Sequence, residues 1–330
     1  MTDFAREKQA AIAAVTLAAG LCRAVQADLV KIGALAKNDR SPVTVADFGT
    51  QAVACQLLAA VFPADPIVAE EDSAQLRLPE NAGQLALVRR YVQQFRPNAS
   101  AAEVCRWIDS GGGRVAPRFW TLDPVDGTKG FLRGQQYAIA VALIAHRQVQ
   151  VAALACPALS LNLDDPAAET GVLFVAVRGQ GTHMARLGRA EFTPVRVSTE
   201  PATLRFLESV EAAHGDQPLQ NAIAAAAGIT APPLRMDSQV KYGVLARGDA
   251  ALYLRLPSPQ QPDYREKIWD HAAGSLIIEE AGGRVTDMLG QPLDFASDYQ
   301  MPPNCGVIAS NGVIHAAALA ALRRSHHESA

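Results

Sequence analysis

Residues 119–134 read Phe119-Trp120-Thr121-Leu122-Asp123-Pro124-Val125-Asp126-Gly127-Thr128-Lys129-Gly130-Phe131-Leu132-Arg133-Gly134. The bulky and β-branched residues at the front predict a short strand that ends at Asp123. Pro124 then fixes a turn, and Gly127 lets the backbone approach closely. Asp123 and Asp126, three residues apart behind a strand, can face one small volume. The residues after them can open a helix, whose free N–H groups attract phosphate. Carboxylates alone repel an anionic phosphate, so such a site needs cations in between. Oxygen ligands without a His or Cys cluster favour Mg²⁺ over zinc. Two such ions can grip both the attacking and the leaving oxygen of a phosphoryl transfer.

An isolated Asp-x-x-Asp is ordinarily a turn with solvated acids, so the rest of the chain has to argue for more. Pro66-Ile67-Val68-Ala69 predicts a second short strand, and it runs into Glu70-Glu71-Asp72. Asp270 sits in Trp269-Asp270-His271-Ala272-Ala273-Gly274. Taken singly, the first looks like a helix start and the second like an N-cap. Together, the three acidic stretches all fall where a strand or loop meets a helix.

The chain of 330 residues is 49% hydrophobic and 19% charged, which suits two domains or one large layered one. That composition excludes a disordered chain and a small disulfide scaffold. A formal net charge of −3, without a basic block, argues against nucleic acid or an anionic membrane as a partner. The cysteines at 22, 55, 105, 156 and 305 are odd in number and unpaired in spacing, which predicts reduced thiols in a cytoplasmic protein. The apolar run from Ala10 to Cys22 follows Arg6 and Lys8, as a signal peptide would. Apolar residues keep helical spacing beyond it, through Val25 and Leu29, and this predicts an amphipathic first helix instead. No segment is expected to reach a membrane span.

A second helix is expected to start near Thr44 or Asp47 and end at Pro63, and a third to cover residues 80–107. Strands are expected over Tyr137–Ile144, Val149–Cys156, Leu173–Val177 and Val195–Ser198. From about residue 200, strands such as Leu204–Val210 alternate with helices over Gln217–Gly228 and Trp269–Ala281. The stretch Pro157–Pro166 is a natural break, giving an α+β part over 1–157 and an α/β part over 158–330.

The segments AEED, WTLDPVDGTKGFLRG, WDHAAG and GGRVTD resemble the lithium-sensitive, Mg²⁺-dependent phosphatase superfamily of inositol monophosphatase and fructose-1,6-bisphosphatase. ADFGTQ, KGFLRGQQYAIAVALI, YLRLP and EKIWDHAAG resemble its 3′(2′),5′-bisphosphate nucleotidase branch in particular. The likeness runs from about residue 40 to 310.

The resemblance implies a layered α/β/α/β/α sandwich with the active site between an α+β half and an α/β half. It implies two or three Mg²⁺ ions. Glu70, Asp123 and the Val125 carbonyl would hold one; Asp123, Asp126 and Asp270 would hold a second. Glu71 would orient water without binding metal directly. Asp47 and Thr128, hydrogen-bonded to each other, would take the proton of a metal-activated water. Gly127 and Thr128 would meet the reacting phosphate. His214, Ser238, Lys241 and Arg255 would bind the rest of a small phosphorylated nucleotide, the two cations reading a second phosphate that is not hydrolysed.

The implied reaction removes the 3′-phosphate of adenosine 3′,5′-bisphosphate, with 3′-phosphoadenylyl sulfate as a second substrate. The alternatives are an inositol monophosphatase, an inositol polyphosphate 1-phosphatase, and a non-catalytic nucleotide-binding sensor. A monomer is expected, with a dimer as the alternative.

Overall fold

A computed structural model describes residues 3–32, 41–200, 204–210, 216–258, 260–261 and 263–328, without the side chains of 29–32, 41–44 and 326–328. The chain opens with two long helices, α1 (Ala5–Ile32) and α2 (Ser41–Val61). α2 begins earlier than expected, because Pro42 falls in the first helical turn, where its missing N–H leaves no helix bond unmade. By length and composition, residues Ala5–Asp28 of α1 are apolar enough to cross a membrane, contrary to expectation. Half of that stretch is nevertheless buried, and α1 packs against α2 and the sheet through Ala11, Ala14, Val15, Ala18 and Cys22.

The first sheet holds seven strands in sequence order: β1 (Ile67–Ala69), β2 (Arg118–Asp126), β3 (Ala138–Ala145), β4 (Gln148–Ser160), β5 (Thr170–Val177), β6 (Thr182–Arg186) and β7 (Thr193–Val195). β1 and β2 are parallel and the other neighbours antiparallel. Both faces are covered. Ile139, Val141 and Leu143 of β3 face the core under α1 and α2, while Ala138, Ala140, Ala142 and Ile144 face the opposite core. Between β1 and β2 the expected single helix over 80–107 is two: α3 (Ala82–Gln93) and α4 (Ala101–Asp109). Pro97 lies in the break, and Ser100 restarts the chain with a capping box to Glu103.

The second sheet has the order β11-β12-β10-β8-β9, from β8 (Phe206–Glu208), β9 (Leu234–Arg235), β10 (Leu252–Arg255), β11 (Arg284–Thr286) and β12 (Val307–Ser310). β8 runs parallel to both β9 and β10, and β12 is antiparallel to its neighbours. Helices α7 (Val240–Ala246) and α8 (Ile268–Glu280) lie between the two sheets and belong to the core under the first. α6 (Gln217–Ala226) and α9 (His315–Glu328) cover the far side with Leu252, Leu254 and Ile308. The order helix, sheet, helix, sheet, helix is the expected five-layer α/β/α/β/α sandwich.

Residues 157 and 158, where a division was expected, lie inside β4. Pro157 is accommodated because the pairing of β4 with β5 slips between Cys156 and Ser160, where its missing donor is harmless. The chain changes sheets between Val195 and Phe206.

Candidate active site

Two parallel strand pairs aim their carboxyl ends at one place. In the first sheet, β1 leads into Glu70 and β2 ends at Asp126; in the second, β8 leads into Ser209 and β10 ends at Arg255. The strand β2 does not stop at Asp123 but continues through Pro124 and Val125. Asp123 pairs with Ala140 and Asp126 with Ala138, so three steps on β2 oppose two on β3. This bulge turns both carboxylates to the same side and spares Pro124 a ladder donor. Gly127 follows with φ 88°, and the five-residue helix α5 (Thr128–Leu132) begins.

The acids crowd one another. Asp123 is 2% exposed, and its Oδ1 is buried without a hydrogen-bond partner. Burial, then the charges of Glu70, Asp126, Asp270 and Asp47, push the Asp123 carboxyl well above the usual carboxylate range. Burial and the neighbouring Glu71 and Asp126 raise Glu70 to about 7. Burial likewise raises Asp270 to about 7, with His271 opposing and Asp126 adding to the rise. Asp47, in α2, is pushed well up by burial, Glu71 and Glu70. Burial and Asp72 raise Glu71.

Asp47 and Asp123 are buried, Glu71 and Asp270 half-buried and Glu70 exposed, and among the described residues no cation pairs with any of the five, so they are poorly placed unless a bound ion joins them. The orphaned Asp123 oxygen and the all-oxygen donor set fit a hard divalent ion such as Mg²⁺. Among the described residues a further trio brings its ligand atoms within 4.8 Å of one another: Glu266, Asp270 and His271. Glu266 and His271 are already hydrogen-bonded to each other and to other side chains, so this trio has fewer lone pairs to offer.

A cavity of about 300 Å³ opens beside the acids. Of the expected site residues, Asp126, Gly127, Thr128, Ser238, Lys241, Arg255 and Asp270 line it, while Asp47, Glu70, Glu71, Asp123 and Val125 do not. His214 lies outside the described residues. The expected hydrogen bond between Thr128 and Asp47 is not formed; Thr128 Oγ1 donates to the Val125 carbonyl, at 3.4 Å. Lys241 is 3% exposed, donates to the Met236 carbonyl at 3.2 Å and stands 5.0 Å over the Tyr253 ring. Burial lowers its ammonium to about 8, against the pull of Asp126.

Other residues position the site without having stood out in the sequence. Gln239 donates its backbone N–H to Asp126 Oδ2 at 2.6 Å and its side-chain amide to the Trp269 carbonyl at 3.0 Å, joining β2 to α8. Gln51, one helical turn after Asp47, grips Glu71 on both sides: Nε2 donates to the Glu71 carbonyl at 2.6 Å, and Oε1 accepts the Glu71 N–H at 2.9 Å. Asp237 lines the cavity and takes an ion pair from Arg133. Gln51 stands within the quoted stretch ADFGTQ and Gln239 follows Ser238, but an amide in a polar stretch carries no chemical signal by itself. Trp269 stacks on Tyr299 at 5.7 Å and Trp120 is fully buried, so both are packing anchors.

Fold and site together define a layered α/β scaffold with an acidic centre at the seam of its sheets. The chain belongs to the inositol monophosphatase family, whose sequence profile matches residues 1–328. It is 46% identical over 330 residues to a 3′(2′),5′-bisphosphate nucleotidase of Schizosaccharomyces pombe, covering 93% of this chain and 92% of that one. A protein of the same name from Oryza sativa is 44% identical over 328 residues, covering 93% and 91%. Among solved structures, the inositol monophosphatase of Anabaena superposes with a TM-score of 0.64 at 19% identity, covering 98% of this chain and 97% of that one. CysQ of Bacteroides thetaiotaomicron superposes with a TM-score of 0.59 at 18% identity, covering 94% and 98%. At those identities the structural likeness speaks for the fold.

Proposed function

We propose that the protein is a Mg²⁺-dependent phosphomonoesterase that removes the 3′-phosphate of adenosine 3′,5′-bisphosphate, giving AMP and phosphate, and that it also accepts 3′-phosphoadenylyl sulfate. The observation that carries this reading is one cavity whose lining brings Asp126, Thr128 and Asp270 together with Lys241 and Arg255. A substrate with one phosphate needs only the acids with their cations. The two basic residues in the same lining suit a second anionic group. The relatives named as bisphosphate nucleotidases support the same choice.

In this reading Glu70, Asp123, the Val125 carbonyl, Asp126 and Asp270 hold two or three Mg²⁺ ions. Bound there, the metal neutralises phosphate charge and makes water more acidic. Glu71, held by Gln51, orients water. Asp47 and Thr128 accept the water proton once Thr128 exchanges its long bond to Val125 for one to Asp47. Gly127 brings its backbone against the reacting phosphate, and Ser238, Lys241, Arg255 and His214 bind the remainder of the nucleotide. The unpaired cysteines and the lack of a basic block in the sequence support a cytoplasmic protein acting on a free small molecule.

The test is a phosphate-release panel with adenosine 3′,5′-bisphosphate, 3′-phosphoadenylyl sulfate, inositol monophosphate and inositol 1,4-bisphosphate. The highest kcat/KM is expected on the first. Faster turnover of an inositol phosphate overturns the substrate assignment, and no turnover of any of them with Mg²⁺ favours a nucleotide sensor.

A further inference from the structure

Arg255 is not a loose cation on the cavity wall. Its Nε donates to Glu266 Oε1 at 3.0 Å. The second oxygen of Glu266 lies 3.1 Å from His271 Nε2, and His271 Nδ1 lies 2.7 Å from the Tyr242 hydroxyl. Glu266 and His271 are 5% and 2% exposed, and both line the cavity. Burial pushes the Glu266 carboxyl up, but hydrogen bonds from His271 and Arg255 outweigh it and hold the group at about 2. It is therefore ionised at neutral pH and can only accept.

His271 donates from Nε2 to the Glu266 carboxylate, and its Nδ1 is hydrogen-bonded to the Tyr242 hydroxyl. This hydrogen-bond chain ties together α7 through Tyr242, the first turn of α8 through His271, and the end of β10 through Arg255. It joins the cation facing a second phosphate to the helix that carries Asp270. A guanidinium has five N–H donors. Glu266 engages Nε of Arg255, which leaves the terminal N–H groups for an anion.

We infer that Glu266, backed by His271, is the positioning residue that sets preference for a substrate carrying a second phosphate, by fixing Arg255 at the cavity wall. This rests on the reading under Proposed function. Glu266 also has an opposite influence, because its negative charge repels any phosphate in the cavity. The two influences separate when two substrates are compared. Loss of position penalises the second phosphate alone, whereas loss of charge favours both substrates.

The experiment measures kcat/KM with Mg²⁺ on adenosine 3′,5′-bisphosphate and on adenosine 3′-monophosphate. The proteins compared are wild type, Glu266→Gln, Arg255→Ala, the double variant, and Tyr242→Phe. Wild type is expected to prefer the bisphosphate. Glu266→Gln is expected to lower that preference about tenfold, chiefly through KM, and the double variant to match Arg255→Ala. Tyr242→Phe is expected to lower it by a smaller factor, and it decides the matter if Glu266→Gln does not fold. An unchanged or increased preference in Glu266→Gln, or a double variant showing the product of both single losses, overturns the inference alone. A wild-type ratio near one defeats the reading it rests on as well.

Discussion

Gly127 and Ser238 stand against each other with both backbones in the left-handed region, φ 88° and 68°, and a β-carbon on Gly127 would lie 2.8 Å from that of Ser238. The contact joins the end of β2 to the turn before α7, and both residues line the cavity. Gly127→Ala is expected to cost about 1–3 kcal/mol, from a strained φ and from the clash, and to lower turnover strongly. Ser238→Gly removes the clashing atom and suits its own φ. The double variant is therefore expected to be more stable than the sum of the single effects. Urea unfolding of the four proteins checks this, and additive losses would show that the contact is not tight.

Without metal, the acidic centre makes the fold prefer low pH. Glu70 and Asp270 are raised to about 7, above their unfolded values, so the folded state binds more protons between roughly pH 4 and 7. Stability with chelator present is expected to fall as pH rises through that window. The Tm gain on adding Mg²⁺ is expected to grow over the same window, with protons released on binding. A Mg²⁺ shift that is flat from pH 5 to 8 would contradict the cluster. Asp123→Asn relieves the repulsion and is expected to raise the chelated Tm while abolishing turnover. More than a tenth of wild-type activity would contradict its bridging role.

Lys241 should trade stability for binding. Its ammonium is lowered to about 8 by burial, below the unfolded value of 10.5, so the unfolded state binds more protons between pH 8 and 10.5. The cost to the fold is complete below pH 8 and shrinks as pH rises through that window. Lys241→Met is expected to raise the Tm more at pH 7 than at pH 10. It is also expected to lower kcat/KM on the bisphosphate more than on a monophosphate, as is Arg255→Ala. Equal losses on both substrates would mean that these cations do not read the second phosphate.

Away from the site, His315 gives the fold an acid limit. It is buried between the hydroxyls of Thr286 and Ser310, each 2.9 Å from a ring nitrogen, and burial lowers it to about 4. The unfolded chain takes up the proton near 6.5, so this contribution is complete above that pH and is lost as pH falls toward 4. His315→Asn is expected to flatten the acid limb relative to wild type, as measured by Tm between pH 4 and 7. Parallel curves would show that His315 is not the group responsible.

The carriers of chemistry are legible in the sequence because three acidic stretches, each ordinary alone, occur together where a strand or loop meets a helix. Asp123, Asp126 and Asp270 could be picked out from spacing and neighbours, and the five-layer order followed from the resemblance they carry. What escaped was what long-range packing decides. The bulge that carries β2 past Pro124 depends on pairing with Ala138 and Ala140. The continuity of β4 through Pro157 depends on a slip against β5. Gln51, Gln239 and Glu266 act by hydrogen bonds to residues far along the chain or around a turn, and nothing local distinguishes them from solvated polar residues. His271, beside a metal-ligand candidate, reads as an ordinary first-turn residue until Glu266 and Tyr242 are seen on its two nitrogens.

The central claim is that Glu70, Asp123, Asp126 and Asp270 jointly hold divalent ions next to the cavity. The most direct measurement is an anomalous difference map from crystals grown with Mn²⁺ and phosphate. The account predicts at least two peaks, one of them shared through Asp123, each about 2.1–2.3 Å from carboxylate oxygens of this set, with phosphate between the metals and Thr128. Peaks confined to Glu266 and His271, or none within reach of Asp123, would contradict it.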